Sequence, residues 1–252
     1  MTVDLAARLR EGTQQAHTAA ENSAFMKCFL KGIVEIHPLR KLLADLYFVY
    51  SALEEELAKH TDHPIVGLIQ FPELNRQAAL EEDLTFYYGQ NWWEQIRISP
   101  AAQTYVSRIY EVSSSEPALL VAHAYVRYMG DLSGGQGLKS IIRSALNLPA
   151  DRGTSLHEFK ALPTVEARRN FKFTYRDRLN ELPVDEALAE QIVNEAILAF
   201  SLNRDIFHEL EPEVKATIGD HVFELLTRQD RPGSTAAHSR GHGAAAELVT
   251  AE

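Results

Sequence analysis

The chain has 252 residues, 45% of them hydrophobic and 24% charged, and its formal net charge is -10. This is the composition of a globular protein with a substantial core, and the length suits one domain plus a tail rather than two domains. The acidic balance disfavours general binding to nucleic acid, which needs clustered Lys and Arg side chains.

Two further features bear on the compartment. Cys28 is the single cysteine, so no internal disulfide can form, which suits a reducing environment. The first eleven residues mix acidic and basic side chains and lack the apolar stretch of a secretory signal, and no run of about 18 apolar residues could span a membrane. We expect a soluble protein of the cytoplasm, or of the plastid stroma if the source is eukaryotic.

Apolar residues recur at helical spacing through most of the chain, which predicts an all-α fold. Prolines separate the predicted helices, where a missing N–H does little harm. No repeat is evident, so a compact single-domain bundle is expected rather than a solenoid. The predicted helices, some of them broken and with ends good to about ±2–4 residues, span roughly residues 3–21, 24–32, 38–60, 73–88, 100–113, 117–146, 164–181 and 185–225.

In the first predicted helix, His17 lies at the edge of an apolar stripe and shares a face with Arg10 and Glu21. A neutral imidazole is a good axial ligand for haem iron, and an outer-shell carboxylate such as Glu21 fixes the other ring nitrogen in many such sites. The alternative is a structural role, which is the commoner one for a helical histidine beside small residues.

The segment 120–139 is helical in pattern on both sides of a glycine cluster. Each glycine in a helix costs about 0.5–1 kcal/mol relative to alanine, so close approach of a partner is the expected compensation. Arg127 and Asp131 are four residues apart and are expected to form a polar pair beside the glycines. The glycines that share one helical face, and so present bare backbone to a flat ligand or to another helix, are Gly130, Gly134 and Gly137. A tight helix crossing with a surface ion pair remains the alternative.

A third patch, residues 168–176, clusters cations beside aromatic rings in a protein that is acidic overall. Lys172 and Arg176 are four residues apart, and Arg169 lies near the same face. Such a patch suits carboxylates at the rim of an apolar ligand. A solvated basic face is the alternative reading of this patch taken alone.

After Thr227 the composition changes to polar residues and then to alanine, glycine, serine and histidine. Such a segment buries too little apolar surface to order itself. We therefore expect a folded domain over residues 1–227 and a disordered tail over 228–252, in which His238 and His242 have no function.

Together these segments resemble the heme oxygenase family over about residues 4–225. The run from Gly130 through Asp131-Leu132-Ser133 to Gly134-Gly135 is similar to the distal helix of that family, and His17 followed by Glu21 stands where the family has its proximal ligand. The likeness is to the soluble enzymes of cyanobacteria and plastids. Further matching segments are Tyr47-Phe48-Val49-Tyr50, Phe71-Pro72-Glu73-Leu74 and Asp83-Leu84-Thr85-Phe86-Tyr87-Tyr88-Gly89.

The resemblance implies a helical bundle with haem between the first helix and a glycine-kinked distal helix. His17 would be the proximal iron ligand with Glu21 beside it, and the backbone at Gly130 and Gly134 would crowd the distal side. Asp131 would hold a water network that delivers protons, with Arg127 and Tyr125 as further members. The remaining haem contacts would be Arg10, Lys172 and Arg176 at the propionates, and Phe200, Asn203 and Phe207 along the pocket.

The activity implied is oxidative cleavage of haem by dioxygen at the α-meso carbon, which gives biliverdin, carbon monoxide and ferrous iron. Haem would be both substrate and cofactor. Biliverdin would feed phycobilin synthesis in a photosynthetic cell, through a downstream bilin reductase. Electrons would come from reduced ferredoxin or another reductase. A basic docking surface for that donor would include Lys139, Arg143, Arg168 and Arg169.

Two other functions stay open at this stage. A haem carrier or sensor would hold its ligand without degrading it, although it would have no need of Asp131 beside the glycines. A thiaminase-like hydrolase on a similar helical scaffold would use Cys28 as its thiol nucleophile. One departure from the family pattern is Gly137, where relatives commonly have a larger apolar residue.

Overall fold

The regular structure of residues 3–234, the part of the chain that the computed structural model describes, is helical and includes no strand. The expected all-α class is therefore confirmed. The α-helices are α1 Leu5–Gly12, α2 Gln14–Glu21, α3 Ala24–Phe29, α4 Ile36–Lys59, α5 Gln77–Tyr88, α6 Trp92–Gln95, α7 Pro100–Ser115, α8 Leu120–Ser133, α9 Gly135–Leu146, α10 Val165–Glu181, α11 Glu186–Ile218 and α12 Asp220–Thr227. Short 3-10 helices occupy Val66–Ile69, Pro72–Leu74, Pro117–Leu119 and Ser155–His157.

Several helices begin where the sequence supplies a side-chain cap. Ser99 caps α7 by accepting a hydrogen bond from the backbone N–H of Ala102, and Pro100 follows at the first helical position. Asp185 caps α11 in the same way, accepting from Leu188 at 2.8 Å. These local signals explain why the predicted starts of both helices agree with the structure.

Three of the predicted helices are broken. The first divides at Thr13, whose hydroxyl donates to the carbonyl of Leu9 at 2.6 Å. The glycine-containing helix divides at Gly134, because the N–H of Gly137 bonds to the carbonyl of Gly134 in a tighter turn. The last divides at Gly219, whose φ of 83° ends α11 in a conformation that favours glycine. The glycine break expected between residues 117 and 146 is therefore present.

Helix α11 is the central rod of the bundle. It packs against α1, α2 and α3 on one side and against α4, α7 and α8 on the other. Both helices that carry the expected site, α2 and α8, therefore rest on the same support. Among residues 3–234, no helix combines the length and the apolar character needed to cross a membrane.

Residues 228–234 return over α2 and α3 and make specific hydrogen bonds. The Lys27 ammonium donates to the carbonyl of Thr227 at 2.8 Å and to Asp230 at 2.6 Å. Asn22 pairs with the backbone of Arg231 through two hydrogen bonds of 2.9 Å. These partners lie about 200 residues earlier in the chain, so the composition of the stretch could not reveal them. The rest of the expected tail, including His238 and His242, lies outside the described residues.

Candidate functional site

His17 lies on α2 with one edge against α11. Its ring centroid is 5.5 Å from that of Phe200 at an interplanar angle of 70°. The side chain is 30% exposed, and Nδ1 is buried 3.7 Å from Oε2 of Glu21, beyond hydrogen-bond distance. No hydrogen bond within residues 3–234 occupies the imidazole, so the ring is held by packing and remains available as a ligand.

The glycine face of α8 and α9 is open. A Cβ placed on Gly130 or on Gly137 would meet no atom within 4 Å, and one on Gly134 would meet only the carbonyl oxygen of Gly130, at 3.5 Å. Gly135 differs, because a Cβ there would lie 3.0 Å from Nδ1 of His157. A tight helix crossing would fill the space beside Gly130, so the open face favours the alternative of a flat ligand.

A buried polar cluster, the distal cluster, lies beside this face. It consists of Tyr50, Arg127, Asp131 and Asn203. The Tyr50 hydroxyl donates to Oδ2 of Asp131, and Nε of Arg127 donates to the Tyr50 oxygen at 3.1 Å. Arg127 Nη1 donates to Oδ1 of Asn203 on α11. The expected direct pair between Arg127 and Asp131 is not formed, because Tyr50 from α4 inserts between them.

Burial dominates the electrostatics of the distal cluster. It raises the pKa of Asp131, and the nearby Arg127 charge and the Tyr50 hydrogen bond oppose that rise without cancelling it. Burial also holds the pKa of Tyr50 well above its ordinary value. Asp131 is therefore a carboxyl with an unusually high proton affinity, next to a tyrosine that stays protonated.

A second cluster, here called the anchor cluster, consists of Arg108, His123 and Glu195. His123 places it on α8, about two turns before Asp131. His123 Nε2 lies 2.9 Å from Glu195 Oε1, and Arg108 donates to the two oxygens of Glu195 at 3.0 and 2.7 Å. Burial raises the pKa of Glu195, but the hydrogen bonds from His123 and Arg108 outweigh it and lower the pKa to about 2.

Arg176 and Arg10 lie near Tyr125 on α8, and Lys172 lies near Arg176. Burial raises the pKa of Tyr125, while a hydrogen bond with Thr13 and the charges of Arg176 and Arg10 lower it. Burial and the charge of Arg176 lower the pKa of Lys172. None of Arg10, Lys172 and Arg176 forms an ion pair with any residue in the range 3–234. The site therefore has a cationic end that can accept anionic groups.

Tyr125 is close to Thr13, Arg176 and Arg10 at the cationic end of the site, and its membership of the proton network stays a prediction. The ring of Phe207 stacks on Phe25 with centroids 5.6 Å apart. Of the two expected aromatic residues of α11, only Phe200 contacts the His17 ring.

The family model for heme oxygenase matches residues 3–209 of this chain. The chain belongs to the heme oxygenase family. Heme oxygenase 2 of Synechocystis sp. is 60% identical over 240 residues, which are 95% of this chain and 96% of that protein. Heme oxygenase 1 of Nostoc sp. is 50% identical over 252 residues, 100% of each chain. The crystal structure of Synechocystis heme oxygenase-2 in complex with heme and NO superposes with a TM-score of 0.92, covering 92% of this chain and 96% of that one.

The resemblance of the motifs to heme oxygenases is thereby confirmed. The alternative of a thiaminase-like hydrolase is disfavoured by the environment of Cys28, its only candidate thiol nucleophile. Cys28 is fully buried, and burial raises the pKa of its thiol. A buried thiol with a raised pKa holds little of the thiolate that acts as a nucleophile.

The sequence did not reveal the roles of Tyr50, Arg108 and Glu195 in the two clusters. Tyr50 lies in a segment that matches the family, and it links Asp131 to Arg127. Taken alone, the sequence favours a packed or hydrogen-bonded structural role for His123, and its contact with Glu195 agrees with that role. His123, Arg127 and Asp131 are spaced four apart and so share one face of α8. That spacing was the available signal, and it indicates a continuous polar seam inside the bundle.

The cations expected to form the docking surface for an electron donor fall into two groups. Lys139 and Arg143 both pair with Glu158, at 3.0 and 3.2 Å. Arg168 donates to the carbonyls of Leu162 and Pro163, and Arg169 lies over the Phe173 ring. Neither forms an ion pair with a carboxylate in residues 3–234, so the unpaired cations of this set in that range are on α10.

Proposed function

We propose that this chain binds haem between α2 and α8 and cleaves it oxidatively to biliverdin, carbon monoxide and ferrous iron. The observation that carries the proposal is the open backbone at Gly130 directly beside the buried Asp131. A flat ligand on that face has a proton source within the same turn of helix. A pure carrier needs the open face and has no use for a buried carboxyl of raised pKa.

The residues present fit haem. His17 offers a ring with no hydrogen bond in the described part of the chain, and it is the proposed proximal ligand. Haem carries two carboxylates, and the unpaired Arg10, Lys172 and Arg176 would hold them. Placing both carboxylates at the cationic end restricts rotation of the ring in its pocket, which supports selective opening at the α-meso carbon.

When bound, haem supplies the iron that activates dioxygen and the porphyrin carbon that is oxidised. The protein supplies protons from the distal cluster. Tyr50 occupies Oδ2 of Asp131, while Oδ1 makes no hydrogen bond within residues 3–234 and can hold a water. Arg127 is fixed by Tyr50 and Asn203, which keeps its charge from pairing directly with Asp131. Because burial raises the pKa of Asp131, this carboxyl is a better proton carrier than an exposed aspartate, and it can exchange its proton through that water.

The electrons would come from reduced ferredoxin, docked on the unpaired cations of α10. Arg168 and Arg169 are the preferred contacts, because the charges of Lys139 and Arg143 are partly neutralised by Glu158. Biliverdin would pass to a bilin reductase for pigment synthesis in the cytoplasm. The double substitution Arg168→Glu and Arg169→Glu should slow the reduction of bound haem by ferredoxin. The double substitution Lys139→Glu and Arg143→Glu should slow it less.

The test of the proposed function is the visible spectrum of the haem-loaded protein during supply of ferredoxin, its reductase, NADPH and air. Loss of the Soret band with growth of a biliverdin band is expected. In Asp131→Asn the Soret band should form normally while turnover falls by about 10²–10⁴-fold, the usual contribution of a proton donor. Asp83→Asn is the matched control, since Asp83 is also buried with a pKa raised by burial to about 6.

Asp83 accepts hydrogen bonds from the backbone of Ser155 and Leu156, away from the distal cluster, so its variant should lose stability and keep turnover. Haem that survives the assay intact in the wild-type protein would favour the carrier. Full turnover in Asp131→Asn would remove Asp131 from the proton network.

A further inference from the structure

The segment Arg231–Ser234, here called the terminal strap, is bound to α2 by complementary polar contacts. The side-chain amide of Asn22 donates to the carbonyl of Arg231, and the N–H of Arg231 donates back to Oδ1 of Asn22, both at 2.9 Å. Two groups of Ser234 then donate to Glu21: the backbone N–H to Oε2 at 2.8 Å and the hydroxyl to Oε1 at 2.6 Å.

The fit of the strap depends on Gly233. This glycine is buried, and a Cβ on it would lie 2.1 Å from Oγ1 of Thr18 and 2.9 Å from its Cβ. Only a residue without a side chain can approach Thr18 so closely. The close approach is what brings the next residue, Ser234, within reach of Glu21.

The chain before the strap is also tied to the beginning of the protein. Lys31 donates to the carbonyl of Leu226 at 2.8 Å, and Lys27 donates to Thr227 and Asp230. Lys27 is only 7% exposed although Asp230 is 81% exposed, so the lysine is buried under the returning chain. These bonds direct residues 231–234 along the same turn of α2 that carries His17 and Glu21.

The consequence falls on the partner of His17. Oε2 of Glu21 is the carboxylate oxygen that lies 3.7 Å from His17 Nδ1, and it is already an acceptor for Ser234. Oε1 is occupied by the Ser234 hydroxyl. Each donated hydrogen bond draws charge from the carboxylate and holds it in place, so less of its basicity is directed at the imidazole.

We propose that Ser234 is a positioning residue, which acts through Glu21 to limit the hydrogen bond that His17 Nδ1–H makes when His17 ligates haem iron. This inference rests on the proposed role of His17 as proximal ligand. With the strap in place, the imidazole keeps a more neutral character. Without the strap, Glu21 can accept a stronger hydrogen bond from Nδ1–H of His17. That bond makes the imidazole more anionic and a stronger donor to iron.

The experiment measures the iron–histidine stretching frequency of the ferrous haem complex by resonance Raman spectroscopy, together with its midpoint potential. Ser234→Ala should move the stretch to higher frequency and lower the potential, because it frees Oε1. Gly233→Val should produce a larger shift in the same direction, because it displaces both donors of Ser234. Ser234→Thr, which keeps the hydroxyl, should restore the wild-type values.

Ser114→Ala is the matched control, since Ser114 is an exposed serine whose hydroxyl bonds within α7 to the carbonyl of Tyr110. It should leave both readouts unchanged. In a Glu21→Gln background, Ser234→Ala should add no further shift, which separates action through Glu21 from general loosening. In the haem-free protein, the amides of Arg231 and Ser234 should exchange about tenfold or more slowly than in a free peptide, and Gly233→Val should remove that protection.

The outcomes separate this inference from the proposed function. If His17→Ala leaves the iron–histidine stretch in place, the assignment of His17 fails and the inference fails with it. If His17→Ala abolishes the stretch while neither Ser234→Ala nor Gly233→Val shifts it, the proximal ligand stands and the strap has no positioning role. Fast exchange of the Arg231 and Ser234 amides in the wild-type protein would also overturn the inference.

Discussion

The distal cluster and the anchor cluster lie on one face of α8 but differ in how completely their charges are paired. In the anchor cluster, Glu195 receives a histidine and a bidentate arginine, and its pKa falls to about 2. In the distal cluster, Asp131 receives a single neutral hydroxyl, and its pKa rises. A carboxylate whose pKa is lowered by several hydrogen bonds holds a proton weakly, whereas one whose pKa is raised by burial holds it more strongly. The comparison separates a structural group from a reactive one within the same helix.

The largest effect expected on stability is from Glu195→Ala. It leaves the buried His123 without its partner, while the partly exposed Arg108 keeps Glu111, so the free energy of unfolding should fall by about 1–3 kcal/mol. Urea unfolding of the haem-free protein measures this. Turnover per folded molecule should stay near the wild-type value, so a specific loss of turnover without loss of stability would make the anchor cluster part of the reaction and remove the distinction.

The pH dependence of stability should differ in sign between the clusters. Because the pKa of Glu195 is lowered from 4.5 to about 2, its contribution is present above pH 4.5 and is lost as the pH falls toward 2. Because the pKa of Asp131 is raised above 3.8, its contribution is present at low pH and is lost as the pH rises through the raised value.

Urea midpoints measured across this pH range for Glu195→Gln and Asp131→Asn test the difference. The stability of the Glu195 variant relative to wild type should improve toward low pH, and that of the Asp131 variant should improve toward high pH. Parallel pH profiles for the two variants would mean that the two carboxyls are in equivalent environments.

The smallest effects should come from the glycines next to the distal cluster. Gly130→Ala should stabilise the haem-free protein by up to about 1 kcal/mol, because alanine favours a helix and its Cβ meets no atom within 4 Å. It should nevertheless weaken haem binding. Gly135→Ala is the matched control, because its Cβ would press on His157 at 3.0 Å. A thermal unfolding scan and a haem titration of both variants measure these effects, and stronger haem binding by Gly130→Ala would contradict the proposed face.

The sequence predicted the features that depend on local patterns. Helical periodicity and caps such as Ser99 and Asp185 are encoded within a few residues, so the starts of α7 and α11 were correctly predicted. The open glycine face follows from spacing along one helix. The role of Tyr50 could not be predicted, because it depends on a contact between α4 and α8 that is about 80 residues apart in sequence.

The hydrogen bonds of residues 228–234 could not be predicted for the same reason. The composition of this stretch offers no apolar face, and its stability comes from Asn22 and Lys27 on the opposite end of the chain. Direct pairing of Arg127 with Asp131 was wrong for a related reason, since a residue from another helix took the intervening position. Local rules fail where a distant segment supplies the partner.

One turn of α11 touches both sides of the proposed haem site. Phe200 meets the ring of His17, and Asn203, three residues later, accepts from Arg127. A rotation or translation of this rod would displace the iron ligand and the acceptor of Arg127 together. The two sides are therefore mechanically coupled through α11, and widening of the cleft for entry of haem or exit of biliverdin has to come from elsewhere. Because α9 begins after the break at Gly134, while α2 and α8 both pack on α11, we expect α9 to be the element that tilts.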